Sequence, residues 1–441
     1  MKFLQNKLTT DIAWSMGSLV VLAASGILIN LIIAAFRDAA ALGAFNQAYA
    51  VYIVASQIAV FGLHYSVLRH AALYDADAVE RGRLLVNAGV FSLLLGACAT
   101  ALVYWAAPVL GLVLESSSAE TATRYAAPGL LLFPLNKVLL GYLNGMRCMK
   151  AFSILQSGRY ILVMLWVTLL SASTHSFELV TLGFFFAELA TSVGVYLYLA
   201  SRRMLPPLKF DSAWTRRHFV FGGKSLLAGI FVELNSRVDV LLVGFFLPDR
   251  EVGIYSFAAM LVDGLYHVLA FVRINYNPVL VGSLRDCDWE RVRNLLQQTK
   301  KYVFPGAAAV SFFIVAVFWV LTDVFVPGKG LNQGLVPLSI LLAGLTLIAA
   351  FIPFDNLMLV SGHPGLQTLQ HMTLVLSNII LNLAMIPLLG IKGAAIATAL
   401  SYMCGIAALS ILSYRFLGWN LLTNIVADPN RNSPAPVKIR Q

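Results

Sequence analysis

The chain has 441 residues, of which 59% are hydrophobic and only 12% are charged. A soluble domain has about 45–50% apolar and about 25% charged residues, so this composition excludes an ordinary soluble domain. The net charge is +10, but no basic cluster in a soluble segment is interleaved with stacking aromatic residues, which argues against a nucleic-acid partner.

Long apolar runs follow one another along the chain. Each is about twenty residues or more, enough for a helix to cross the bilayer core of about 30 Å. Within lipid the backbone must satisfy its own polar groups, so the runs are expected to be helical. They predict an all-α integral membrane protein with about twelve transmembrane helices, at residues 12–36, 42–68, 84–107, 124–146, 151–172, 178–200, 219–247, 251–282, 302–326, 334–360, 366–389 and 391–417.

The basic residues predict the orientation. With the N-terminus inside, 21 of the 31 Lys and Arg residues fall at predicted cytoplasmic segments, 5 at outer segments and 5 within helices. Short cytoplasmic loops carry an excess of Lys and Arg. We therefore expect a multi-pass protein of the cytoplasmic (inner) membrane with both termini in the cytoplasm.

The loop at 201–218 divides the sequence into two halves of six helices. The predicted domains are an N-terminal bundle at 1–200, that linker loop, a C-terminal bundle at 219–417 and a cytoplasmic tail at 418–441. A charged stretch at 286–301 has apolar residues at helical spacing, which predicts an amphipathic helix on the inner surface.

The two halves resemble each other. Leu42-Gly43-Ala44-Phe45 matches Val252-Gly253-Ile254-Tyr255 at an offset of 210, and Pro134 with Asn136 matches Pro353 with Asp355 at an offset of 219. Transporters commonly place a substrate site at a repeat interface, with interrupted helices in matching positions. We therefore predict helix kinks at Pro134 and Pro353.

Ionisable residues inside the predicted helices are the candidate functional residues, because each costs roughly 2.5–3.5 kcal/mol at the bilayer centre by insertion scales. The cations suit an anionic cargo such as a diphosphate. The predicted substrate-binding residues are Lys137, Arg159, Arg237, Arg273 and Lys224, and the predicted ion-coupling residues are Glu233, Asp239 and Asp263.

Structural interpretations of the same residues remain open. Lys224 and Arg273 lie near helix ends, where a long side chain can extend to the interface. Glu233 and Arg237 are four residues apart and can neutralise each other. Lys137 and Arg159 have no acidic residue in their own helices, so their countercharge is expected from another helix or from a substrate.

The sequence contains no motif that predicts an enzyme. It has no Walker A sequence for ATP hydrolysis, no paired-cysteine or clustered-histidine metal site, and its four cysteines have no paired spacing. We expect no cofactor and no bound metal.

Three segments resemble polysaccharide-biosynthesis exporters, and this resemblance covers nearly the whole chain. They are Leu42-Gly43-Ala44-Phe45-Asn46-Gln47-Ala48, the region from Phe221-Gly222 through Asp239 to Val252-Gly253-Ile254-Tyr255-Ser256, and the run from Asn378 and Asn382 through Ile386-Pro387 to Gly393-Ala394-Ala395-Ile396-Ala397-Thr398. The chain is similar to the O-antigen, or oligosaccharide repeat-unit, flippases of the multidrug/oligosaccharidyl-lipid/polysaccharide exporter superfamily.

The resemblance implies two six-helix bundles around a cationic central cavity, and alternating access driven by a proton or sodium gradient. It implies a flippase that moves an undecaprenyl-diphosphate-linked oligosaccharide across the cytoplasmic membrane for surface polysaccharide or lipopolysaccharide assembly. The expected partners are that lipid-linked substrate and membrane lipid, with a polysaccharide polymerase and chain-length proteins as further candidates.

Two other functions stay open from the sequence. One is a non-transporting membrane subunit of a polysaccharide synthase or secretion complex, whose intramembrane charges would pair with partner helices. The other is a cation-coupled multidrug exporter, although the basic excess in the first half is poorly suited to cationic drugs.

Overall fold

The computed structural model describes residues 2–74, 77–173, 176–205, 207 and 209–426, and this part of the chain is almost entirely helical. The α-helices are α1 Lys2–Phe36, α2 Ala39–Val60, α3 Leu63–Leu73, α4 Ala78–Val113, α5 Ser117–Ala126, α6 Gly129–Gly145, α7 Met149–Ser171, α8 Gly183–Ser201, α9 Ser212–Phe246, α10 Asp249–Arg285, α11 Trp289–Gln298, α12 Phe304–Val320, α13 Leu335–Ile348, α14 Leu357–Val360, α15 Pro364–Leu389 and α16 Ile391–Leu417. Short strands β1 Trp419–Asn420 and β2 Ile425–Val426 form an antiparallel hairpin after the last helix.

The protein is a multi-pass membrane protein. Among the described residues, nine helical segments are long and apolar enough to cross a bilayer, and two bent pairs, α2 with α3 and α5 with α6, bring the number to as many as eleven. These correspond to eleven of the twelve predicted helices. The twelfth, α9, lies outside that set, since its sequence carries Lys224, Glu233, Arg237 and Asp239. The all-α membrane class is confirmed, while the number twelve stays a prediction.

The helices divide into two compact units, residues 1–253 and residues 254–441. This division differs from the predicted one, which placed the boundary at the loop 201–218. The reason is that α9 packs against α2, α3 and α4 of the first unit.

The first turns of α9 are fixed by polar contacts to that unit. The indole Nε1 of Trp214 donates to a carboxylate oxygen of Glu80 at 2.9 Å. The His218 ring is fully buried, with Nδ1 2.9 Å from the hydroxyl of Ser66 and Nε2 3.0 Å from the carbonyl oxygen of Leu84. Buried polar groups need such partners, so these bonds explain how His218 is accommodated.

Three predicted helices are interrupted. The helix predicted at 42–68 bends by 47° between α2 and α3, where Phe61 and Gly62 both have positive φ. The helix predicted at 124–146 bends by 47° between α5 and α6, at Ala127 and Pro128, and α6 continues through Pro134. The kink predicted at Pro134 falls within α6 and stays a prediction.

The third interruption contains Pro353, one of the two prolines at which a kink was predicted. Helix α13 ends at Ile348, and a short 3₁₀ segment, Ile352–Phe354, contains Pro353. Proline lacks an amide donor and clashes with the carbonyl four residues before it, which favours such a break.

The amphipathic helix predicted at 286–301 is present as α11. Its apolar residues Val292 and Leu296 are fully buried in the core of the second unit, together with Phe354 and Trp419. The apolar face of α11 therefore packs against the protein's own core. The tail 427–441 lies outside the described residues.

Candidate functional site

A buried polar network joins α6, α7 and α8 in the first unit. The Arg159 guanidinium Nη1 donates to Glu188 Oε1 at 3.0 Å. The Asn136 amide Nδ2 donates to Glu188 Oε2 at 2.7 Å, and the hydroxyl of Ser192 donates to Asn136 Oδ1 at 2.8 Å. We name this group of four residues the closed network.

Aromatic rings surround the closed network. The Arg159 guanidinium carbon lies 5.2 Å from the Phe133 ring centroid and 4.9 Å from that of Tyr160, whose hydroxyl also accepts from Nη2 at 3.1 Å. Cation–π contacts of this kind stabilise a guanidinium that has lost water. Tyr52 lies beside the closed network, where its ring makes an edge-to-face contact with the ring of Phe133. The Tyr52 hydroxyl has no hydrogen-bond partner among the described residues.

The Arg159–Glu188 ion pair is almost completely removed from the surface, with side chains 8% and 4% exposed. Both oxygens of Glu188 accept hydrogen bonds from protein donors. The expected countercharge of Arg159 therefore comes from another helix. The guanidinium of Arg159 is already neutralised by Glu188. Its predicted role in substrate binding stays a prediction.

Lys137 lies on the same helix as Asn136 but outside the closed network. Its ammonium nitrogen is 5.5 Å from the Phe133 ring centroid, and the residue is half-buried. Lys137 and Arg159 thus contact the same aromatic ring, which places two predicted substrate-binding cations at one location in the first unit.

A second network lies in the second unit. Arg273 of α10 donates from Nη1 to Asp355 Oδ2 at 2.7 Å, and Gln370 of α15 donates from Nε2 to Asp355 Oδ1 at 2.7 Å. Gln367 Nε2 donates to the main-chain carbonyl oxygen of Asp355 at 2.9 Å. The Tyr266 hydroxyl lies 3.4 Å from Arg273 Nη1. We name these five residues the open network.

The open network differs from the closed network in two respects. Its ion pair is more accessible, with side chains of Arg273 and Asp355 19% and 15% exposed. Three of its buried polar atoms have no hydrogen-bond partner among the described residues: Arg273 Nε, Gln367 Oε1 and Gln370 Oε1.

The other predicted site residues are located separately. The Arg237 guanidinium carbon lies 5.0 Å from the Tyr49 ring centroid. Asp239 is buried and its Oδ1 accepts from the amide of Val240 at 2.9 Å, while Asp263 is half-buried on α10. The side chains of Lys224 and Glu233 lie outside the described residues, so the suggested Glu233–Arg237 pair stays a prediction.

The sequence analysis did not select Gln367 and Gln370 as site residues. Two glutamines three residues apart in a predicted transmembrane helix are a detectable signal, since such neighbours lie on the same face. The repeat comparison aligned Asn136 with Asp355, and the structure places each in a buried network beside an arginine.

A family model described as "Polysaccharide biosynthesis protein" matches residues 8–272. The chain belongs to this family. The match includes every residue of the closed network.

One curated relative is the "Probable flippase AglR" of Haloferax volcanii, which is 28% identical over 187 residues, covering 41% of this chain. The alignment spans 38% of that relative's length.

Solved structures share the fold of this chain. An inward-facing multidrug resistance MATE family transporter of the MOP superfamily has a TM-score of 0.77 at 14% identity, covering 89% of this chain and 93% of its own. The lipid II flippase MurJ in an inward closed conformation has a TM-score of 0.69 at 15% identity. The match covers 91% of this chain and 87% of the MurJ chain. At these identities the likeness establishes the fold alone.

Proposed function

We propose that the protein is a flippase for an undecaprenyl-diphosphate-linked oligosaccharide. It moves this lipid across the cytoplasmic membrane, with both termini in the cytoplasm, for assembly of a surface polysaccharide such as O-antigen or exopolysaccharide. The observation that carries the proposal is the polysaccharide biosynthesis family match over residues 8–272. The fold shared with a lipid II flippase supports it.

The charge distribution suits this substrate. A diphosphate offers several anionic oxygens, and arginine presents a planar fork of donors that matches them. Arg237 and Lys137 are the described cations proposed to contact the diphosphate, with Lys224 as a third, and Arg273 is proposed to contact another part of the substrate. Each lies in a predicted transmembrane helix, where an ionisable residue marks a substrate path by default. The polyprenyl tail remains in the bilayer during the movement.

An ion gradient is the proposed energy source. Glu233, Asp239 and Asp263 are acidic residues in predicted membrane helices. Binding a proton or a sodium ion at one of them changes its charge, and a ligand shifts a conformational equilibrium by its difference in affinity for the two states. Alternating access between inward-open and outward-open states then follows from that difference.

Reconstitution tests the proposal directly. The full-length protein is placed in liposomes that carry the lipid-linked oligosaccharide extracted from the source cells in the inner leaflet, with an imposed proton or sodium gradient. We expect the sugar to become accessible to a membrane-impermeant lectin faster than in liposomes without protein. An unchanged rate under both gradients would overturn the proposal.

A deletion strain provides an independent test. Loss of the gene is expected to abolish surface polysaccharide and to accumulate lipid-linked oligosaccharide on the inner leaflet, and a plasmid copy restores both. A multidrug exporter would instead leave the polysaccharide intact and raise drug sensitivity.

A further inference from the structure

The open network has hydrogen-bonding capacity that the protein does not use. Gln367 and Gln370 are 7% and 3% exposed, yet each leaves its amide oxygen without a partner among the described residues, as does Arg273 at Nε. Buried polar groups are nearly always hydrogen-bonded, so each exception calls for an explanation. Three exceptions within one network indicate a missing partner.

The orientation of the two amides is fixed by their surroundings. Gln370 Nε2 faces the Asp355 carboxylate, and Gln367 Nε2 faces the Asp355 carbonyl oxygen at 2.9 Å and also lies 2.8 Å from the ring Nε2 of His371. Both of these oxygens can only accept, so a flipped amide would place two acceptors together. The free atoms of the two side chains are therefore oxygens, and the missing partner must donate to them.

The missing partner must also accept, because Arg273 Nε is a donor. A diphosphate satisfies the arginine but cannot donate to the glutamine oxygens. A metal ion satisfies the oxygens, but the guanidinium charge of Arg273 repels it. A hydroxyl group both donates and accepts, and a sugar carries several hydroxyl groups at neighbouring carbons.

We propose that the open network is a hydroxyl-binding subsite for the sugar of the transported lipid, an inference that rests on the proposed function. Gln367 and Gln370 accept from sugar hydroxyls, and Arg273 donates to one of them. The Asp355 carboxylate positions Arg273 and Gln370 through its two oxygens.

The closed network supports this assignment by contrast. It also contains an arginine, a carboxylate and an amide, but both oxygens of Glu188 and the oxygen of Asn136 are occupied by protein donors. Its ion pair is also less exposed than the pair of the open network. The unused hydrogen-bonding capacity and the more exposed ion pair therefore occur together in the second unit.

The experiment compares two lipids with the full-length protein in detergent. Binding is measured by tryptophan fluorescence for undecaprenyl diphosphate alone and for the lipid-linked oligosaccharide extracted from the source cells. In wild type we expect tighter binding of the sugar-bearing lipid. Gln367→Met and Gln370→Met should each weaken binding of that lipid by about fivefold, which corresponds to one lost hydrogen bond of about 1 kcal/mol, and leave binding of the bare lipid unchanged.

Thr368→Val is the matched control, since Thr368 lies on the same helix and its hydroxyl donates to the carbonyl oxygen of Pro364, one turn earlier. It should change neither affinity. If the glutamine variants lose affinity for both lipids equally, Gln367 and Gln370 have a merely structural role. If the variants lose no affinity, water satisfies the amide oxygens. Either result overturns the inference.

A measurement on wild type covers the case in which the variants do not fold. The free oligosaccharide, released from the lipid by mild acid, should compete with the sugar-bearing lipid but not with undecaprenyl diphosphate alone. Absence of competition overturns the subsite and leaves the flippase proposal standing. If wild type binds neither lipid better than a phospholipid, the proposed function itself fails.

Discussion

Gly43 of α2 and Gly253 of α10 face each other through their backbones. A Cβ atom added to Gly43 would lie 3.0 Å from the amide nitrogen of Gly253, and one added to Gly253 would lie 3.0 Å from the amide nitrogen of Gly43. The added atoms would also overlap the carbonyl oxygens of Asp249 and Ala39, respectively. The two glycines that the repeat comparison aligned are therefore reciprocal partners within the first unit.

This contact predicts that Gly253→Ala is strongly destabilising. Backbone atoms cannot move aside as a flexible side chain can, so the helices must separate, which typically costs about 1–3 kcal/mol. The temperature at which half of the detergent-purified protein unfolds should fall. Gly264 lies in the same helix, and a Cβ atom added there would have no neighbouring atom within 4 Å. Gly264→Ala should therefore be neutral or slightly stabilising, because alanine favours the helix. Equal effects of the two changes would contradict the close contact.

Asp249 fastens the first turn of α10 to two other helices. Its carboxylate oxygens accept from Gln47 Nε2 at 2.9 Å and from the hydroxyl of Ser116 at 2.6 Å. Asp249→Ala leaves both donors without their acceptor, so we expect a loss of about 1–3 kcal/mol of stability. The neighbouring exposed Arg250 provides the control Arg250→Ala, which should leave the unfolding temperature unchanged. A stable Asp249→Ala variant would show that these bonds contribute little.

Removal of the Arg159 side chain should lower the stability of the protein, whether or not Arg159 also contacts the substrate. Arg159→Ala leaves Glu188 as an unpaired buried charge, a loss of roughly 3–5 kcal/mol. The double variant Arg159→Met with Glu188→Met removes both charges and should be closer to wild type than either single variant. Protein yield and the unfolding temperature are measured to rank the stabilities of wild type, the double variant and the two single variants.

The same double variant tests the predicted role of Arg159 in binding. If it folds and still supports polysaccharide assembly, Arg159 is structural. If it folds normally and assembly stops, the predicted substrate contact is supported. A single alanine variant cannot make this distinction, because loss of protein would also stop assembly.

Cysteine labelling tests the predicted orientation. Cys287 is exposed in the turn between α10 and α11, which the charge distribution places in the cytoplasm. In a chain whose other cysteines are replaced by alanine, a membrane-impermeant maleimide should label Cys287 in inside-out vesicles and not in intact cells. Lys392 is one of the five basic residues at predicted outer segments, so Lys392→Cys in a chain with Cys287 also replaced should show the reverse pattern. Labelling of Cys287 from outside would contradict the orientation.

Much of the fold could be predicted because hydropathy and helix length are local properties. The apolar runs located the spans, but not their interruptions. At Phe61 the backbone adopts a positive φ that its residue type does not signal, although Gly62 permits such a turn. The bend between α5 and α6 lies at Ala127 and Pro128, where one helix ends and the next begins, and the kink predicted at Pro134 stays a prediction.

The site was less predictable because its contacts join residues far apart in sequence. The search for ionisable residues selected Arg159, but no pattern in the sequence pairs this residue of α7 with Glu188 of α8. Gln367 and Gln370 are uncharged and so were outside that search. The repeat comparison aligned Gly43 with Gly253, but it did not predict that the two residues are in contact.

The Arg159–Glu188 ion pair has a consequence for how this sequence can diverge. A change at either position alone leaves a buried charge without its partner, so single substitutions there are expected to be rare among functional relatives. The two positions should instead change together, either both charged or both uncharged. Such linked change would be visible in a comparison of many family sequences without any measurement of transport.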